Sequence, residues 1–145
     1  MDAEIINRSK IAALVSKLTV LGDDGDFHGM SKMFSPEGTF GLGSNASAVG
    51  PDAISRMLSE FSASLTKRPN GPTYMRHHLT TAVIELDGEN DASADTYFLN
   101  FNERGLDHWG RFRDRLKRDA TGEWLFTRRE TIEEGKAENS FLNTP

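Results

Sequence analysis

Hydrophobic residues recur at three- and four-residue intervals along the first part of the chain, and from Thr73 onward they alternate with polar ones. A period near 3.6 marks amphipathic helices and a period of two marks half-buried strands. Ile5, Ile6, Ile11, Ala12, Leu14, Val15, Leu18 and Leu21 predict a helix over about 5–21, ended by the turn Gly22 to Gly25. A short second helix runs through Phe27, Met30, Met33 and Phe34. Ser35-Pro36-Glu37-Gly38 reads as a turn, with Thr39-Phe40 starting a short extended segment. Pro51 suits a first helical position, and Ile54, Met57, Leu58, Phe61 and Leu65 predict a third helix over about 51–65. Residues 73–86, 92–101, 107–118 and 123–133 then resemble strands separated by hairpin-length turns. Helices first and an antiparallel meander after them predict an α+β fold, with the helices packed on one face of a curved sheet.

At 145 residues, with Lys67 to Pro72 only ending a helix, the chain reads as one domain. Its core spans about 5–133, and a polar tail covers 134–145, relieved only by Phe141 and Leu142. Those two residues are expected to cover a pocket or to dock on a neighbouring subunit. Twenty-two acidic against seventeen basic residues leave a net charge of −5, which argues against nucleic acid as a partner. No apolar run approaches the roughly 20 residues that span a bilayer, and the first residues are acidic where a secretory signal is basic. A soluble, cytoplasmic protein without membrane partners is the expectation. The chain has no cysteine, so disulfides and thiolate metal sites are excluded. Gly41-Leu42-Gly43 leads into Ser44-Asn45-Ala46 rather than a helix, so it is no phosphate cradle and reads as a flexible loop over a pocket mouth. Alternation puts Arg111, Arg113 and Arg115 on one strand face and Phe112, Asp114 and Leu116 on the other, with a further cation pair at Arg128-Arg129. A solvated face is the expectation for these cations.

Candidate chemistry concentrates in the strand from Tyr74 to Leu86, which carries His77 and His78. A histidine fixed on a strand suits a general base near neutral pH. Adjacent strand residues point to opposite faces, so the two cannot share a metal ion, and no metal site is expected. Both faces of this strand are partly apolar, and periodicity alone leaves open which of them is buried. Asp23 and its neighbours Asp24 and Asp26 lie at the end of the first helix. His28 and His108 are expected at the surface. Phe27, Phe34, Phe40, Met57, Phe61 and Phe112 read as core residues that can also wall a pocket.

Taken in order, Asp23-Asp24-Gly25-Asp26-Phe27, Met33 to Phe40, Val49 to Ile54, Arg76-His77-His78-Leu79-Thr80-Thr81, Gly110 to Asp114 and Gly122 to Arg129 resemble the SnoaL-like families of the nuclear transport factor 2-like superfamily. Within it, the chain most resembles the branch of scytalone dehydratase, bile-acid dehydratase and hexachlorocyclohexane dehydrochlorinase. The resemblance implies a cone-shaped curved sheet around a deep apolar pocket, and cofactor-free lyase or isomerase chemistry on a small hydrophobic substrate, cyclic, polyketide- or steroid-like. It implies His77 as base, Asp23 as its orienting partner, and Thr81 and Phe112 at pocket positions, beside which Phe27, Phe34 and Phe40 are expected as substrate-pocket walls from their spacing. Leu18 stands where some members carry a tyrosine, Thr81 where an asparagine is frequent, and Phe112 where a tyrosine occurs. A homo-oligomer is implied, with a trimer ranked above a dimer; an exposed apolar sheet face points the same way. A catalytically silent ligand- or partner-binding member of the fold is the alternative, and the small subunit of a ring dioxygenase a third.

Overall fold

A computed structural model describes residues 2–43 and 46–143. Helix α1 (Ala3–Asp23) opens the chain, its N-terminus capped by the Asp2 carboxylate on the Glu4 N–H. Helix α2 (Phe27–Ser31) is capped in the same way by Asp26 on the Gly29 N–H at 2.8 Å. Strands β1 (Phe34–Leu42) and β2 (Ser47–Val49) form a hairpin, and α3 (Pro51–Thr66) follows. Gly50, at φ 87°, makes the turn into Pro51, a backbone conformation that a side-chain-bearing residue adopts only under strain. Strands β3 (Arg76–Asp87), β4 (Asp91–Asn102), β5 (Gly105–Arg118) and β6 (Trp124–Lys136) complete an antiparallel meander.

The sheet has six strands rather than the four of the meander alone, in the order β2-β1-β6-β5-β4-β3. The added edge comes from β1, which pairs with β6 in parallel, Phe34 against Phe126 and Phe40 against Arg129. This pairing also corrects two local expectations. The second helix ends at Ser31 instead of running through Phe34, because the Met33 carbonyl accepts the Phe126 N–H at 2.8 Å and draws the chain into the sheet. Residues 35–38 are an irregularity inside β1, between Phe34 and Thr39, rather than a separate turn; Pro36, which has no N–H to donate, is tolerated there. Gly41 and Leu42 belong to β1, while Ser44 and Asn45 of the expected mouth loop lie outside the described residues.

The helices pack on the concave face, α1 against β3 and α3 against β1 and β2. Ile11, Val15 and Leu18 of α1 meet Ile54 and Leu58 of α3, with Phe34, Phe40, Leu116, Trp124 and Phe126 of the sheet, in one buried cluster. Register shifts in β3, in the β4–β5 pair and twice in the β5–β6 pair bend the sheet. Close approach of β5 to β6 requires Gly110, where a Cβ would run into the Ile132 carbonyl. The shift between Leu79 and Ala82 resolves the two apolar faces of β3: His77 and Leu79 are turned inward before it, and Ile84 and Leu86 after it. Among the described residues no helix is long and apolar enough to cross a membrane.

Candidate functional site

Asp23 is the last residue of α1, where the helix macrodipole disfavours a carboxylate by about 0.3–1 kcal/mol. It is stabilised instead by β3. Oδ2 accepts the backbone N–H of His77 at 2.9 Å, and Oδ1 faces Nδ1 of His77 at 2.6 Å. The Asp23 side chain is 6% exposed and that of His77 is 22% exposed, so the pair is shielded while the ring retains access. A carboxylate accepts only, so the bond places a proton on Nδ1 and leaves Nε2 of a neutral ring as the acceptor.

Asn100 is the cross-strand partner of His77 on one side and of His108 on the other, which sets His77, Asn100 and His108 in a row across β3, β4 and β5. Nδ2 of Asn100 lies 3.0 Å from Nε2 of His77 and 3.5 Å from Nδ1. A donor in line with the Nε2 lone pair would be far more distant from Nδ1 than from Nε2. The amide therefore lies over the face of the imidazole, and the in-plane lone pair of Nε2 remains open. Asn100 is fully buried, and among the described residues its Oδ1 has no hydrogen-bond partner.

These groups face a cavity of about 350 Å³ between the concave sheet and the helices. Its base is the stacked pair Phe98 and Phe112, with centroids 4.5 Å apart. Leu18, Phe27, Met30, Phe40, Leu58 and Phe61 give it an apolar wall. Arg129 also lines it, buried and matched by Asp114 through two bonds of 2.7 Å, with its guanidinium 4.1 Å over the Phe112 ring. The tail closes one end: Phe141 and Leu142 line the cavity, and Arg68 donates to the Phe141 carbonyl at 2.6 Å.

Of the residues singled out by sequence, His77, Asp23, Phe27, Phe40 and Phe112 converge on this cavity. Phe34 does not reach it, packing behind against Phe40 and Phe126 at 5.7 and 5.5 Å. Thr81 does not reach it either, since the β3 irregularity leaves it exposed. His78 lies on the outer face beside Phe101, and His28 is exposed. His108, expected at the surface, is 9% exposed and lines the cavity. Arg129 is no solvated cation, and its partner Asp114 could have been suspected, because it shares a strand face with Phe112 and Leu116 and so demands a counterion. Arg129 itself was hidden by the register shift between Arg115 and Leu116 in the β5–β6 pair, which reverses the alternation before it. Among the described residues no three histidine, aspartate or glutamate side chains converge in a way that could hold a metal ion.

A SnoaL-like domain model matches residues 3–130. No curated protein matches the chain. Among solved structures, a candidate scytalone dehydratase from Novosphingobium aromaticivorans is 18% identical, with a TM-score of 0.78 over 94% of this chain and 90% of that one. An NTF2-like protein with a cystatin-like fold from the same organism is 21% identical, with a TM-score of 0.75 over 97% and 91%. A Catenulispora acidiphila protein in complex with S-DNPA is 26% identical, with a TM-score of 0.71 over 88% and 94%.

Proposed function

We propose, from the premise that this chain belongs to the SnoaL-like domain family, that it is a cofactor-free general acid–base lyase of the dehydratase type, or an isomerase, acting on a small hydrophobic cyclic, polyketide- or steroid-like substrate. The observation that carries the reading is the 2.6 Å contact of Asp23 with Nδ1 of His77 at the edge of an apolar cavity, with Nε2 open. Nε2 takes a proton from carbon next to a carbonyl or a leaving group, and Asp23 stabilises the imidazolium that forms. Leu18, fully buried in the wall, offers no phenolic proton. The imidazolium therefore returns the proton it took. It delivers it to another carbon in an isomerisation, or to the departing oxygen in an elimination, where the C–O bond breaks as C=C forms and water leaves. The likeness to a structure solved with S-DNPA supports occupation of such a fold by a small molecule.

A suitable probe is 2-tetralone, an apolar bicyclic ketone with acidic α-hydrogens, followed by NMR as its α-positions exchange in D2O. His77→Ala should slow the enzymatic exchange by on the order of 10²-fold or more, given the usual 10²–10⁴-fold contribution of a general base. Exchange at an unchanged rate in that variant would sink the assignment. A chain without any exchange activity, yet still binding the ketone, would favour the second reading, a silent ligand-binding member of the fold, which the missing hydroxyls at Leu18 and Phe112 support. The chain is also proposed to form a homo-oligomer, a trimer ahead of a dimer. Val83, Tyr97 and Leu106, 55%, 43% and 40% exposed on β3, β4 and β5, support that reading. Light scattering that returns the mass of one chain rules it out.

A further inference from the structure

His108, which lines the same cavity, forms a second imidazole–carboxylate pair with Asp107 behind it, and the proposed reaction uses neither. Asp107 is 3% exposed, yet its oxygens receive Nδ2 of Asn102 at 3.0 Å, the Ser140 hydroxyl at 2.6 Å and the Phe141 N–H at 3.1 Å. Burial alone would raise its pKa, but hydrogen bonds from Ser140, His108 and Phe141 outweigh it and hold the carboxyl below its ordinary value. Asp107 is thus an anion that accepts the Nδ1 proton of His108 at 2.9 Å. Burial pushes the His108 pKa below its ordinary value against the opposing pull of Asp107, so the ring is neutral at pH 7. Its one proton is committed to Nδ1. Among the described residues Nε2 makes no hydrogen bond, and His108 lines the cavity.

A bare imidazole acceptor in an apolar wall stays undersatisfied until a donor reaches it. Phe98 touches both histidines, in edge contact with His77 at 5.4 Å and with His108 at 5.8 Å, and the two imidazoles are 6.3 Å apart, so the three rings form a triangle. A flat ring lying over Phe98 and Phe112 meets His77 at one edge and His108 at another. Phe141 packs edge-on against His108 at 5.5 Å at that end of the cavity.

We propose that Nε2 of His108, oriented by Asp107, is a recognition point for a hydroxyl on the ligand, so that the cavity selects flat apolar rings bearing a phenolic or enolic O–H. This rests on the apolar-cavity reading above and is independent of turnover by His77. Its test compares binding of 2-naphthol, 2-methoxynaphthalene and naphthalene by the full chain and by its His108→Ala and His108→Phe variants. Wild type should bind 2-naphthol about tenfold more tightly than 2-methoxynaphthalene, the equivalent of one neutral hydrogen bond. Both variants should bind the two probes alike. In wild-type protein the ¹⁵N resonance of His108 Nε2 should move on adding 2-naphthol and stay in place with the other two, a readout that needs no variant. Equal binding of 2-naphthol and 2-methoxynaphthalene by wild type, or a naphthol preference that survives in a folded variant, overturns the inference alone. Failure of all three to bind overturns the apolar-cavity reading and this inference with it.

Discussion

Asp23→Asn tests the dyad sharply, because the carboxylate accepts two hydrogen bonds that one amide cannot both accept. Oδ2 takes the His77 N–H at 2.9 Å and Oδ1 faces Nδ1 at 2.6 Å. Asparagine has one acceptor oxygen and one NH₂. If its oxygen stays on the backbone N–H, the NH₂ faces Nδ1, which becomes the acceptor; the proton then moves to Nε2 and the base is lost. If its oxygen turns to Nδ1–H instead, the NH₂ meets the backbone N–H, and two donors oppose each other at a site only 6% exposed. A buried unsatisfied donor costs about 1–3 kcal/mol, so the wrong tautomer is favoured by about 5- to 150-fold. The variant should therefore fold with little loss of stability and lose proton transfer by at least that factor, before the missing negative charge is counted. Long-range ¹H–¹⁵N NMR reads the tautomer directly: Nδ1 protonated and Nε2 bare in wild type, reversed in the variant. A variant that keeps Nδ1 protonated and exchanges 2-tetralone at the wild-type rate would refute the reasoning.

Arg129→Met should be strongly destabilising, since it strands Asp114, whose side chain is fully buried. Breaking a buried pair costs about 3–5 kcal/mol, a large share of the roughly 5–15 kcal/mol that holds a domain together, whereas Arg129→Met with Asp114→Leu should recover much of it. Urea denaturation checks both, and a loss under about 1 kcal/mol in the single variant contradicts the burial of the pair. Stability should also decline in acid in two stages. His108 has a lowered folded pKa, so the unfolded chain takes up its proton first; the contribution is whole above about 6.5 and is lost as pH falls from there. The lowered Asp107 pKa adds stability that is whole above about 3.9 and is lost as pH falls through the folded value. Urea midpoints between pH 7 and pH 5 should fall less steeply in His108→Gln, and an unchanged slope counts against the buried neutral imidazole.

Period and turn chemistry determined the elements, because both are local. The apolar spacing of α1 and α3, Pro51 at a helix start and the strict alternation in β4 each follow from contacts a few residues apart. The order of the motifs was sufficient to identify the family, and with it His77 and Asp23 as candidates. What the tertiary structure decided depends on residues distant in sequence and on register. The parallel pairing of β1 with β6 joins residues about ninety apart and leaves no periodic signal, so β1 read as a short extended segment after a turn. A single irregularity in β3 reverses which side chains face inward, turning Thr81 out while His77 stays in. His108 looked like an isolated surface histidine because what buries it comes from elsewhere: Asn100 across the sheet, and the tail residues Ser140 and Phe141, held by its own neighbour Asp107. Sequence spacing specifies which residues can share an element; only the curved sheet and the docked tail specify which of them share a cavity.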